Sequence, residues 1–156
     1  AAPPPPAADP TTTGTAAPPP ANPAVSETLL GGDPDDDLNL GKRHYREQNY
    51  GLAEKHFRRA VEKSPRDGEA WLGLAASYDR LRRFDLADRA YKEALAIFGP
   101  KPEVINNIGY SYLLRGDLRI ARAKFAEAQR LDPQSPTIAN NLVLVDEAAK
   151  RRKGLN

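Results

Sequence analysis

The chain has 156 residues, with 23 Lys and Arg against 21 Asp and Glu, 15 Pro, 11 Gly, one Trp and neither Cys nor Met. Without cysteine there can be no disulfide framework, thiolate nucleophile, zinc–cysteine site or iron–sulfur cluster. No apolar run approaches the roughly 18 residues that a spanning helix needs.

The chain divides by composition. Residues 1–34 hold ten of the fifteen prolines, and residues 1–37 carry no Lys or Arg but six carboxylates: Asp9, Glu27, Asp33, Asp35, Asp36 and Asp37. From Leu38 onward there are 23 basic and 15 acidic residues, a local net charge of +8. Ala-, Thr- and Pro-rich sequence cannot bury enough apolar surface to offset the entropy of ordering, so residues 1–33 are expected to form a disordered linker. Val25 to Leu30 is its one apolar stretch, enough to dock as a strap or form a turn. The start at Ala1 without Met leads to the expectation of a processed or trimmed chain, with any signal peptide or lipid-bearing residue upstream.

From Pro34 the same residue types recur every 34 positions with no insertion. The eighth column reads Gly41, Ala75, Gly109; the twentieth Ala53, Ala87, Ala121; the twenty-fourth Phe57, Tyr91, Phe125; the twenty-seventh Ala60, Ala94, Ala128. Small residues at these places let helices approach closely, and large ones at the seventh, eleventh and twenty-fourth fill what is left. Three helical hairpins result, at 34–67, 68–101 and 102–135. Their inner turns fall at Gln48-Asn49-Tyr50, Arg82-Arg83-Phe84 and Gly116-Asp117-Leu118. Ser64-Pro65, Gly99-Pro100 and Asp132-Pro133 stop the second helix of each. Trp71, in the fourth column, is expected to pack between the helices of its own hairpin and the preceding repeat.

These columns resemble the tetratricopeptide repeat family over about two thirds of the chain. The fold expected is all-α: three hairpins in a right-handed α-solenoid, then a C-terminal capping helix over 136–153. Ser135 suits its N-cap and Pro136 its first turn, while Ile138, Leu142 and Val145 would face the last repeat and close the stack. Lys150 to Lys153 would complement the dipole of that helix, and Asp35 to Asp37 that of the first.

Catalysis finds no foothold. His44 occupies a packing column and His56 a helix surface, with no nucleophile at motif spacing and no phosphate loop, HExxH or GxSxG string. The expectation is a non-enzymatic chain without cofactor or metal.

What such a stack offers is a curved surface lined by the first helix of each repeat. In the family the wall positions are the second, fifth, sixth, ninth, twelfth and thirteenth, which map here to residues including Leu38, Glu69, Leu72, Glu103 and Leu114. The binding residues this implies are Lys42, Tyr45, Arg46, Arg80, Asn106, Asn107, Tyr110 and Asn141, taken as reaching the groove without a packing role. Asparagine suits a peptide backbone and arginine a carboxylate. The asparagines could equally satisfy one another across a repeat boundary. The carboxylate clamp of the chaperone-tail binders is absent, because its positions include Leu38, Gly73, Glu103 and Asn107.

The strings GLAEKHFR (51–58), AWLGLAASYD (70–79) and NNIGYSYLLRGD (106–117) are also similar to the small repeat lipoproteins of tight-adherence (Flp-type) pilus systems, the TadD group. That resemblance implies an envelope protein on the periplasmic side of the outer membrane, lipid-anchored upstream of residue 1, that helps the pilus secretin assemble. A cytosolic adaptor or secretion chaperone of the same fold is the rival reading. Nucleic acid is not expected as a partner: charges alternate along the helices, and few aromatics are free to stack on bases.

Overall fold

A computed structural model describes residues 36–154. The linker and the Val25 to Leu30 stretch lie outside the described residues. Seven helices follow one another: α1 (Asp37–Arg46), α2 (Tyr50–Lys63), α3 (Gly68–Arg80), α4 (Phe84–Phe98), α5 (Pro102–Arg115), α6 (Leu118–Leu131) and α7 (Pro136–Gly154). The described chain is all-α, as the columns predict.

Four of the seven helix starts, those of α1, α3, α6 and α7, are capped by a side chain. Asp36, Asp67 and Asp117 accept the backbone N–H three residues on, Asn39 at 2.8 Å, Ala70 at 3.2 Å and Ile120 at 3.2 Å. Ser135 does the same for Ile138 at 3.3 Å, so the expected N-cap of α7 is in place. These bonds satisfy N–H groups that have no partner inside the helix. Between paired helices the chain turns identically three times: the amides of Asn49, Arg83 and Asp117 bond back to the carbonyls of His44, Tyr78 and Tyr112 at 2.8, 2.9 and 2.9 Å. The residue before each of those amides is left-handed, Gln48 at φ 63°, Arg82 at φ 60° and Gly116 at φ 83°.

The columns meet in space as steric arithmetic requires. Phe57 and Phe125 are fully buried, and the alanines of the twentieth and twenty-seventh columns are buried around them. A methyl group on Gly41 or Gly73 would collide with the Phe57 ring, and one on Gly109 with that of Phe125. The Phe57 ring is thus clamped between the first helix of its own repeat and that of the next. At the far end, Ile138 and Val145 of α7 are buried and Leu142 packs partly covered beside them. Arg122 of α6 bonds Asp146 of α7 at 2.9 Å, and Arg152 donates to the Gly116 carbonyl at 2.9 Å.

Two single-residue expectations need correction. Trp71 packs against the core on one side only: it is half-buried, and its indole N–H reaches the Pro65 carbonyl at 2.8 Å. The fourth column is close enough to the inter-repeat loop for an indole to span from core to edge, so it is less enclosed than a residue packed between helices. His56 is not a surface residue either. It bonds the Asp37 carboxylate at 3.0 Å and its ring stacks on His44 with centroids 5.4 Å apart. Asp37 also accepts from Lys63 at 2.6 Å, which ties the start of α1 to the length of α2. Bonding to His56, then to Lys63, holds the Asp37 carboxyl below the usual carboxylate range despite its burial.

Curvature follows from which helices touch. The first helices of successive repeats contact one another (α1 with α3, α3 with α5, α5 with α7). Among the described residues no comparable contact joins α2 to α4 or α4 to α6. The second helices therefore splay apart on the convex side, and α1, α3, α5 and α7 form the concave wall.

Candidate peptide-binding groove

The concave wall is chemically divided along the helices. Near the N-terminal ends of α3, α5 and α7 lies a pocket of about 650 Å³. Leu72, Phe98 and Ile138 supply its apolar surface, and Glu69, Glu103 and Asp132 stand around it. Desolvation, with the Glu69 carboxylate second, pushes the Glu103 carboxyl above its ordinary range. Toward the C-terminal ends of α1 and α3 the wall is cationic, through the exposed Arg46 and the half-buried Arg80.

The eight residues expected to reach the groove separate into two sets. Arg46, Arg80 and Tyr110 are at least partly open to it. Lys42, Tyr45, Asn106, Asn107 and Asn141 are buried, at 5% exposure or less, and so have a packing role that was not expected of them, although Asn106 also lines the pocket. Lys42 runs its stem through the wall and pairs its ammonium with Glu69. Asn141 of α7 donates to the side-chain carbonyl of Asn106 of α5 at 2.8 Å. Asn107 lies under the surface, and its side-chain amide has no hydrogen-bond partner among the described residues. Tyr45 keeps only its hydroxyl in play, accepting from Arg80 Nε at 3.4 Å.

A second polar cluster is built on Asp79, which the repeat register puts at a wall position, and on Tyr91 of the twenty-fourth column. Asp79 of α3 is buried and accepts from the Tyr91 hydroxyl of α4 at 2.7 Å and the Ser111 hydroxyl of α5 at 2.6 Å. Ser111 in turn accepts from Arg115 at 2.8 Å, and Arg115 pairs with Asp88. Burial pushes the Asp79 carboxyl up to about 6, the two hydroxyl bonds and Arg115 opposing it. Burial, and then Asp79 itself, push the Tyr91 phenol well above its usual range. A neutral or singly charged carboxyl here joins three helices of two repeats, which is a structural task and not a groove contact.

Sequence reasoning also missed Tyr50, read as a turn anchor, over whose ring the Arg80 guanidinium lies at 5.6 Å. It missed Phe98, Asp132 and Thr137 as pocket residues, since they belong to the end of α4, the C-cap of α6 and the start of α7, outside the wall columns.

A tetratricopeptide repeat family model matches residues 38–102 and 75–136, more than half of the chain. The chain belongs to the tetratricopeptide repeat family. Among curated relatives, it is 35% identical over 95 residues to the cytochrome c-type biogenesis protein CycH of Bradyrhizobium diazoefficiens, covering 59% of this chain and 26% of that one. It is 33% identical over 94 residues to the BBSome complex member BBS4 of Bos taurus, covering 59% of this chain and 18% of that one. The match thus spans about a quarter or less of those relatives. Solved structures share the repeat fold at lower identity. The first such domain of human RPAP3 superposes with a TM-score of 0.64 at 18% identity, covering 78% of this chain and 98% of that one. The Yersinia enterocolitica secretion chaperone SycD, solved with a peptide of the translocator YopD, gives 0.61 at 21%, covering 81% and 97%. PcrH, solved with the chaperone-binding region of PopD, gives 0.61 at 23%, covering 80% and 99%.

Proposed function

We propose that the protein is a non-enzymatic scaffold that holds a segment of a partner protein in its concave groove. The observation that carries this reading is the open pocket between α3, α5 and α7, about 650 Å³ in volume, apolar at Leu72, Phe98 and Ile138 and flanked by charge. Apolar recesses of roughly 300–1,000 Å³ with a few directed polar groups are what ligands occupy. Closing the core at this end requires only that α7 bury Ile138 and Val145, and it leaves the recess beside them open.

Within that reading, the resemblance of the three strings named above supports a role in tight-adherence pilus assembly. The partner is then the pilus secretin, and the site of action the periplasmic face of the outer membrane, reached through a lipid anchor upstream of residue 1. The test fills the pocket. Thr137→Trp projects an indole into it from a half-exposed position, at little cost to the core. Wild-type protein should capture the secretin from solubilised envelopes, and Thr137→Trp should lose that capture while melting normally. Equal capture by both, or secretin multimers that assemble undiminished in cells lacking this protein, would refute the assignment.

A second reading, a cytosolic secretion chaperone, draws on the two chaperones solved with translocator segments. It predicts that the native protein fractionates with the cytosol and that the pocket variant loses a secreted substrate instead of the secretin.

A further inference from the structure

Arg80 is the last residue of α3 and is half-buried in the concave wall. Its Nε donates to the Tyr45 hydroxyl at 3.4 Å and its Nη2 to the Tyr110 hydroxyl at 3.2 Å. The guanidinium carbon lies 5.6 Å from the centre of the Tyr50 ring and 5.3 Å from that of Tyr110. Phenol oxygens orient the cation but do not neutralise it; its contacts are with Tyr45, Tyr110 and Tyr50, and among the described residues it pairs with no carboxylate. A guanidinium has five N–H donors, so three remain for another acceptor. A partly desolvated cation fixed in place without an anion gains most from a carboxylate brought to it.

Arg46 holds the same position one repeat earlier and is exposed. Since α1 and α3 pack directly, the two cations sit on helices whose axes are about 10 Å apart. Complementing the helix dipole accounts for a basic residue in a last turn. It does not account for a ring of three tyrosines around one of them.

We propose that Arg80, oriented by Tyr45, Tyr50 and Tyr110 and seconded by Arg46, is the subsite for a side-chain carboxylate of the bound segment. The inference rests on the groove reading above and gives the partner a chemistry. Leu72 in the pocket and Arg80 are eight residues apart on one helix, about 12 Å. An extended segment, at roughly 3.3 Å per residue, would therefore carry an Asp or Glu three or four residues from an apolar side chain.

The probe is a phage-displayed library of random dodecapeptides selected on the full chain, followed by anisotropy titration of the recovered sequences as labelled synthetic peptides. Recovered peptides should combine an apolar residue with an acidic one at that spacing. Arg80→Gln should weaken them about tenfold, the scale of one hydrogen bond to a charged group, and reduce the salt dependence of binding, with Arg46 supplying what remains. Arg80→Lys should restore part of the affinity. If Arg80→Gln lowers the melting temperature, Arg46→Gln and Tyr110→Phe carry the same test with the cage or its neighbour altered singly. Peptides with apolar but no acidic preference, or unchanged affinity in these variants, would overturn the subsite and leave the groove standing. Recovery of no peptide at all would overturn the groove reading itself. Recovery only after deletion of residues 1–33 would overturn a partner as the occupant, in favour of the chain's own acidic N-terminal segment.

Discussion

Asn141 and Asn106 are bonded to each other across the boundary between the last repeat and the closing helix, amide to carbonyl at 2.8 Å, with both side chains buried. Two polar groups that the sequence offers equally to a peptide backbone are here used to fasten α7 to α5. Weakening the satisfaction of a buried polar group costs up to about 1–3 kcal/mol, so Asn141→Leu, which takes this donor from the Asn106 carbonyl, should destabilise by up to that amount in urea unfolding. Asn107 provides the contrast. Its amide is buried without a hydrogen-bond partner among the described residues, and Asn107→Leu removes a group that is already desolvated, so stability should be unchanged or raised by up to about 1 kcal/mol. Equal losses in the two variants would show that Asn107 has an undetected partner.

Asp79 makes stability depend on pH in the unusual direction. Its folded-state value, pushed up to about 6 by burial, exceeds the ordinary carboxyl value of 3.8. Below about pH 4 both states are protonated and its contribution is fully present. As pH rises through 6 the folded protein must hold a buried anion beside Tyr91 and Ser111, and the contribution is lost, roughly 3 kcal/mol in all at 1.36 kcal/mol per unit. Asp37 works the other way: its carboxyl is lowered, so its stabilisation is present above the ordinary value and lost as pH falls through the folded one. Unfolding curves between pH 4 and 7 should therefore show a downward slope in wild type that flattens in Asp79→Asn. An unchanged slope in that variant would assign the effect elsewhere.

The extent to which the molecule was legible in advance depends on how local each cause is. The hairpin, its turn and its stop are each decided within a few residues, by Asp67, Gly116 or Pro133, and the 34-residue period repeats the decision three times. The clamp on Phe57 was legible on one side only, at Gly41 in the eighth column, whereas Gly73 falls at a wall position and shows its reason only in the structure. The groove was not legible at the level of side chains. Whether Lys42 reaches out or pairs with Glu69, and whether Asn106 faces a ligand or Asn141, depends on partners about one repeat away whose rotamers no column records. The Arg80 cage is of the same kind, since Tyr50 enters it from a turn.

The three equivalent turns allow a test of backbone strain without touching packing. Gly116 adopts φ 83° at no steric cost, whereas Gln48 and Arg82 hold φ 63° and 60° with a Cβ in place. A side chain in left-handed geometry costs about 1–2 kcal/mol. Gly116→Ala should lose about 1 kcal/mol or slightly more, and Arg82→Gly should gain up to that amount, less the larger entropy of glycine in the unfolded chain. Arg82 also lies 5.4 Å from the Phe84 ring centre; Arg82→Asn, which tolerates the same φ without that contact, separates the two effects. Melting temperatures of the three variants decide between strain and contact.

Gly73 is the most exacting position in the stack. It stands in the wall where repeat one has Asn39 and repeat three Asn107, and the sequence alone gives no reason for a residue that weakens a helix interior. The Phe57 ring supplies one: a Cβ at Gly73 would meet it closer than real Cβ atoms approach, while on the other side of that ring Gly41 leaves the same room. The ring is fully buried and cannot swing out, so Gly73→Ala must push α3 away from α2. Overpacking of that kind costs typically about 1–3 kcal/mol, against the roughly 0.5–1 kcal/mol that alanine otherwise gains over glycine in a helix. Gly51, near the start of α2 with open space around it, isolates that second term, and Gly51→Ala should be neutral or stabilising. If Gly73→Ala instead melts at or above the wild-type temperature, the first and second repeats do not meet at Phe57. Pairing it with Phe57→Leu should then settle the contact: the smaller side chain must rescue Gly73→Ala in a double-mutant cycle, although Phe57→Leu alone destabilises.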